Sequence, residues 1–193
     1  MELAAATLTH KIVRLEPFEE HHRDGLIAAA ADPAIWAHIP FPVERVGYGA
    51  WFDWLTAERA AGRWIPHAVL LPDGRIVGQT CYLNIRSNEA GVEIGGTWYA
   101  PEVQGGAVNP ACKLLMLEHA FACGAERVEL KTDALNARSR AAILKLGATF
   151  EGVHRKHMRR KDGSLRDTAW YSILREEWPA VRARLEQRLA AFT

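Results

Sequence analysis

Residues 102–121 read EVQGGAVNPACKLLMLEHAF, which sets two adjacent glycines and an Asn-Pro pair directly before a long apolar run. Asn109 as N-cap and Pro110 as first helical residue suit the preferences of those positions, so the spacing predicts a helix from about residue 110 to 123. Its free N–H groups and positive dipole end, with the amides of Gly105, Gly106, Ala107 and Val108, could converge on one anion, most naturally a phosphate. Glycine lets the main chain approach such a ligand with no Cβ in the way. The same stretch would also serve as a capped connection that binds nothing. Just upstream, Gly95-Gly96 interrupts the strand-like AGVEIGGTWYA (90–100), and glycine inside a strand marks a bulge or a close backbone approach.

The elements that must hold these segments follow from periodicity. THKIVRLEP (9–17) reads as a strand, and helices are predicted over 19–32 and 44–62, the second with Trp51, Trp54, Leu55 and Glu58 at helical spacing. WIPHAVLLPDGRIVGQTCYLNI folds into a hairpin around Pro72-Asp73-Gly74, and Ser87-Asn88-Glu89 turns into the glycine-bearing strand. Beyond the 110–123 helix come a short buried strand (126–133) and a helix over 137–147 that ends at Gly147. FEGVHRKHMRR and LRDTAWYSIL then pair across Lys161-Asp162-Gly163-Ser164, and an amphipathic helix over 176–192 closes the chain. Hairpins followed by β-α-β crossovers predict an α/β (α+β) fold with a mixed central sheet of about six to seven strands, helices on both faces and a crevice at the carboxyl ends of the central strands.

With 193 residues, 49% of them hydrophobic and 24% charged, the chain is expected to form a single domain (1–193) with one full core over about 10–175. A net charge of +1 implies no polyelectrolyte partner. The N-terminus has no basic segment leading into an apolar one, and no run approaches the roughly 18 apolar residues of a bilayer span. A cytoplasmic location and no membrane association are therefore expected. Cys81, Cys112 and Cys123 form neither a C-x-x-C pair nor an even set, which predicts reduced, mostly buried thiols. No histidine spacing resembles H-E-x-x-H, so no metal is expected.

Taken together, E-I-x(9)-Q from Glu93 to Gln104, the small residues and Asn109 that follow, the apolar helix, the strand, and N-x-x-S-x-x-x-I-x-K-L-G from Asn136 to Gly147 resemble the GCN5-related N-acetyltransferases, in the RimJ/RimL-like branch. The likeness extends over about residues 10–175 and includes the order of elements. It implies acetyl-CoA as co-substrate, and direct transfer of the acetyl group to a primary amine, on a protein N-terminus or a small molecule, in a ternary complex. The family's Q/R-x-x-G-x-G/A motif wraps the coenzyme pyrophosphate. Gln104 matches its first position, while Ala107 and Asn109 replace the usual glycine and glycine or alanine.

The resemblance also implies roles for single residues. Glu93 stands where the family's best-known general base stands, and in a partly apolar cleft its pKa would rise. A water as base, or a solvent-facing carboxylate, is the alternative. Gly95-Gly96-Thr97-Trp98 matches a family bulge whose main-chain N–H, from Thr97 or Trp98, bonds the acetyl carbonyl. Asn136 would anchor the pantetheine arm or the acceptor, and Ser139 would hydrogen-bond the sulfur and return a proton to the thiolate; as plain helix-start residues they would only cap. Ile143 stands where many members carry a tyrosine acid, leaving that role vacant unless Ser139 or Tyr99 fills it.

From Arg138 to Lys161, Arg138, Arg140, Lys145, Arg155, Lys156, Arg159, Arg160 and Lys161 stand against Glu151 alone. Such an excess could attract the coenzyme phosphates or an anionic acceptor, or form a solvated strand face. No aromatic interleaving supports a nucleic-acid partner. Trp36, Phe41, Tyr48, Trp51, Phe52 and Trp54 gather where the family builds its acceptor pocket, most of them as core. A non-catalytic acyl-CoA-binding module, or an acyltransferase with another donor or acceptor, uses the same scaffold. The last helix could pair with a second copy as a homodimer.

Overall fold

The structure is a computed structural model that describes residues 1–192; Thr193, the last residue of the expected domain, lies outside them. Among the described residues, β1 (Leu8–Thr9), β2 (Arg14–Pro17), β3 (Trp64–Leu70), β4 (Ile76–Arg86), β5 (Gly91–Tyr99), β6 (Arg127–Asp133), β7 (Thr149–Arg159) and β8 (Leu165–Leu174) form one sheet in the order β1-β2-β3-β4-β5-β6-β8-β7. The β5–β6 pair is parallel and every other neighbour is antiparallel. The helices are α1 (Arg23–Ala29), α2 (Val43–Val46), α3 (Tyr48–Ala60), α4 (Val108–Ala122), α5 (Ala137–Leu146) and α6 (Trp178–Ala190).

Side chains alternate across each strand and so feed two cores. Val69, Tyr82, Val92, Val128 and Tyr171 face α4, α5 and α6, whereas Ala68, Leu70, Cys81 and Trp98 face α1, α3 and the buried Trp36. The expected helices on both faces are present. All three cysteines are free, with Cys81 and Cys112 buried.

The helix expected over 19–32 shortens to α1 behind a 3-10 turn (Glu20–His22), and three further departures from expectation each have a local reason. The sheet has eight strands because the 9–17 segment folds back on itself: the His10 and Val13 amides each donate to the other's carbonyl, at 2.9 and 3.1 Å, and split it into β1 and β2. The 44–62 helix breaks at Gly47, whose φ of +81° leaves the helical region. Helix α4 begins at Val108 with Ala107 as its cap, so Asn109 is not the N-cap; its Oδ1 instead accepts a 3.2 Å bond from the Tyr99 hydroxyl.

The glycine pair in β5 makes a bulge. Cys81 pairs with Gly95 and Gln79 with Trp98, so Thr80 alone faces Gly96 and Thr97. Gly96 takes φ +58°, and a Cβ there would lie 3.0 Å from the Trp64 ring and 3.2 Å from the Cys81 sulfur. The fully buried Gln79 locks this geometry: its Nε2 donates to the Gly96 carbonyl at 2.9 Å, and its Oε1 accepts from Tyr48 Oη at 2.5 Å and Trp51 Nε1 at 3.2 Å. Gln79→Leu strands all three partners in the core, and chemical denaturation is expected to show a loss of about 3 kcal/mol.

Candidate active site

The parallel pairing of β5 with β6 lasts three rows, Gly91↔Arg127, Val92↔Val128 and Glu93↔Glu129. Past Glu93 each strand keeps its outer partner, β4 or β8, and not the other. A crevice therefore opens in mid-sheet, with α4 starting beyond one lip and α5 beyond the other. Glu93, Thr97, the 104–109 loop, Asn136 and Ser139 all come from the elements that border it.

On the β5 side a single 3-10 turn (Pro101–Val103) leads into the glycine loop. Gln104 secures that loop, since its Nε2 donates to the Tyr99 carbonyl at 2.7 Å while its Oε1 accepts from Arg138 at 2.6 Å. Gly105 has φ +77°, and a Cβ there would meet no atom within 4 Å, so the loop's outer surface is bare backbone. The amides of Gly105, Gly106, Ala107, Val108 and Asn109 donate to no acceptor among the described residues. Successive unpaired amides at a helix start, with the dipole behind them, attract an anion.

At the bulge, Thr97 Oγ1 lies 2.8 Å from Thr80 Oγ1 and accepts a 3.2 Å bond from Lys113 Nζ. Lys113 sits in the second turn of α4 and is 7% exposed, and among the described residues no carboxylate lies within 4 Å of it. Burial pushes its pKa down to about 8, against the pull of Cys112 and Cys81. The apolar run of α4 hid this lysine from sequence reasoning. Its occurrence inside that run was the available signal, since lysine is almost never buried without a partner. The Trp98 side chain is buried against Trp36 and Tyr48, and its Nε1 has no hydrogen-bond partner among the described residues.

Glu93 is 2% exposed, and burial drives its pKa upward, opposed by Lys131 and Asn84. Both bind Oε2, Lys131 Nζ at 2.7 Å and Asn84 Nδ2 at 2.6 Å. Oε1 points toward Gly95, where a Cβ would come within 2.9 Å of it. Asn84 holds its position with φ +48°, a backbone state that asparagine tolerates better than most residues with a side chain. Neither Asn84 nor Lys131 was singled out from the sequence; an isolated strand asparagine carries no pattern until its partner is known. Lys131 also lies 5.0 Å over the Trp170 ring, which His154 and His157 flank.

On the β6 side, Asn136 caps α5, its Oδ1 accepting from Ser139 N–H at 3.0 Å. The Asn136 Nδ2 and Ser139 Oγ make no hydrogen bond among the described residues and remain available. Ile143 is buried in the core, and the Tyr99 hydroxyl is occupied with Asn109. The basic run does not form one patch. Arg138 reaches the glycine loop, Arg140 braces the Tyr171 hydroxyl at 3.1 Å, and Arg160 pairs with Asp133. Trp36, Tyr48, Trp51 and Phe52 are core, with Phe41 and Trp54 packed against them.

The fold also gathers Glu16, His21 and His22, a group no spacing rule had indicated. His22 Nδ1 accepts the Glu19 N–H at 3.0 Å, which puts the ring proton on Nε2, pointing at Glu16 2.8 Å away. That proton occupies the direction in which a metal would have to bind.

Residues 13–149 match the family model described as the acetyltransferase (GNAT) domain. Among solved structures, a chain from T. thermophilus is 34% identical, with TM-score 0.87 over 98% of this chain and 100% of that one. A GCN5-related N-acetyltransferase from Brucella melitensis is 27% identical, with TM-score 0.88 over 96% and 86%. RimJ of Mycobacterium smegmatis, solved in complex with CoA-disulfide, is 25% identical, with TM-score 0.78 over 94% and 92%. No curated protein matches.

The buried lysine carries a measurable signature. Between pH 8 and the ordinary lysine range the unfolded chain holds a proton that folded Lys113 has released, so this group makes stability rise with pH in that window. Lys113→Met removes the effect. The variant is expected to be more stable than the parent at neutral pH, by roughly 2–3 kcal/mol, with the advantage shrinking as pH climbs past 8. Thermal unfolding of both proteins across that range checks it.

Proposed function

We propose that this chain, which belongs to the GNAT acetyltransferase family, moves the acetyl group of acetyl-CoA directly onto a primary amine of a small molecule or a peptide. The observation that carries the donor assignment is the row of five unclaimed amides from Gly105 to Asn109 at the start of α4. They suit the coenzyme pyrophosphate, with Arg138 beside them as a further cation. The thioester would then run down the crevice toward the bulge.

The chemistry needs no covalent enzyme intermediate. The amine nitrogen attacks the thioester carbonyl, a C–N bond forms, and the departing ammonium proton goes to Glu93 Oε1, directly or through a water. Burial raises the Glu93 pKa, the direction that a base for an ammonium proton needs. The tetrahedral oxyanion takes a main-chain N–H of Thr97, which the bulge leaves out of the β4 register, or that of the adjacent Trp98. The C–S bond then breaks, and Ser139 Oγ–H hydrogen-bonds the thiolate and relays to it a proton taken up from solvent water, with the Lys113 ammonium adding positive potential from behind Thr97. Asn136 Nδ2 would hold the pantetheine arm. Among the described residues no helix is long and apolar enough to cross a membrane. Three free thiols suit a reducing, cytoplasmic setting.

Calorimetric titration with acetyl-CoA is expected to show binding that weakens more than tenfold in Gly105→Asp, where a carboxylate meets the phosphates. Absence of binding at millimolar acetyl-CoA would defeat the donor assignment. Glu93→Gln is expected to bind acetyl-CoA as the parent does yet lose about 10²-fold in kcat/KM, measured by thiol release. An unchanged rate would transfer the base role to water.

A further inference from the structure

Arg166 in β8 is a second buried cation, 6% exposed. Its Nε donates to Thr168 Oγ1 at 3.1 Å, and its terminal nitrogens make no hydrogen bond among the described residues. No carboxylate of those residues lies within 4 Å of it. The nearby Asp133 is already engaged, receiving Arg160 Nε at 2.6 Å, Arg160 Nη2 at 3.0 Å and the Leu135 amide at 3.0 Å, and with Glu93 it acts on Arg166 only from a distance. A guanidinium withdrawn from water with no counter-ion in contact is a costly arrangement, and burial lowers the Arg166 pKa accordingly.

Arg166 is among the residues that line a cavity of about 90 Å³ between the 37–40 loop, the end of β6 and the β7–β8 turn. Lys161 Nζ closes it from one side by donating to the Trp36 carbonyl at 3.1 Å. Its position relative to the crevice follows from register. Glu93 pairs with Glu129, so Thr97 and Asp133, each four residues further on, stand at about the same height on opposite lips. Asp133 pairs with Thr168, and Arg166 is two residues beyond. The cavity thus lies on the lip of the crevice opposite the bulge, beyond the end of β6.

We propose that this cavity binds a carboxylate of the acceptor, which is an amine whose carboxylate sits several bonds from the reacting nitrogen. Arg166 grips it through its two free nitrogens, in the bidentate geometry that guanidinium and carboxylate share. Charge sets the choice of anion. The acids Asp133 and Asp162 line the cavity beside Arg160 and Arg166, so a second negative charge on the ligand is repelled. A phosphate monoester, carrying about two charges at neutral pH, would leave an excess. The assignment rests on the acetyl-transfer reading above and specifies its substrate.

The test is a thiol-release assay with acetyl-CoA and ω-amino carboxylates of increasing chain length, each beside its carboxamide and its ω-aminoalkyl phosphate. The carboxylate is expected to exceed the carboxamide in kcat/KM by about tenfold or more, with most of the difference in KM. Arg166→Gln is expected to bring that ratio close to one, and Arg166→Lys to restore part of it. Equal use of carboxylate and carboxamide by the parent enzyme overturns the proposal, whatever the variants do. So does a preference for the phosphate, or one confined to α-amino acids. If carboxamides are acetylated without preference, only the acceptor site falls; if acetyl-CoA itself fails to bind in calorimetry, the donor reading falls with it.

Discussion

The brevity of one strand pairing governs this molecule. Strands β5 and β6 are parallel neighbours, yet they share only three rows before each turns to its outer partner. A parallel pair is ordinarily buried on both faces and continuous. Ending it early leaves main-chain groups and two helix starts exposed to a common gap. The bulge at Gly96 and Thr97 adds to the parting by giving β5 an extra residue against β4. With a full pairing, the glycine loop, the Asn136 cap and Glu93 would border a closed sheet and have nothing to converge on.

Around that gap the polar groups follow one pattern. Five amides, the Trp98 indole, the Lys113 ammonium and the Arg166 guanidinium are all donors that lack an acceptor or an acidic partner among the described residues. Elsewhere the sheet neutralises its buried charges, as in Arg86 and Arg127 on Glu129 or Arg160 on Asp133. Unmet donors concentrated at one end of a sheet suit the elongated, oxygen-rich coenzyme of the proposed function.

Much of this was legible in the residues. Element order and the two-faced sheet followed from periodicity, the bulge from Gly95-Gly96, and the bounds of α5 from Asn136 and from Gly147 at its far end. The misreadings were local. A His10–Val13 turn and Gly47 broke segments whose hydrophobic pattern ran on unbroken, and Asn109 gave up capping for the hydroxyl of Tyr99, ten residues back in the chain but adjacent in space. Lys113, Lys131, Asn84 and Arg166 were invisible for another reason. Each matters through what it faces in the folded sheet, and such neighbours leave no spacing in the chain.

Gln79 has a consequence of its own. One amide side chain grips the carbonyl of Gly96 with its nitrogen and two side chains of α3 with its oxygen. Helix α3 and strand β5 are thereby joined through one buried side chain. On the proposed reading, a change of acceptor would leave that joint in place and fall on the 37–40 loop and the β7–β8 turn, which line the Arg166 cavity.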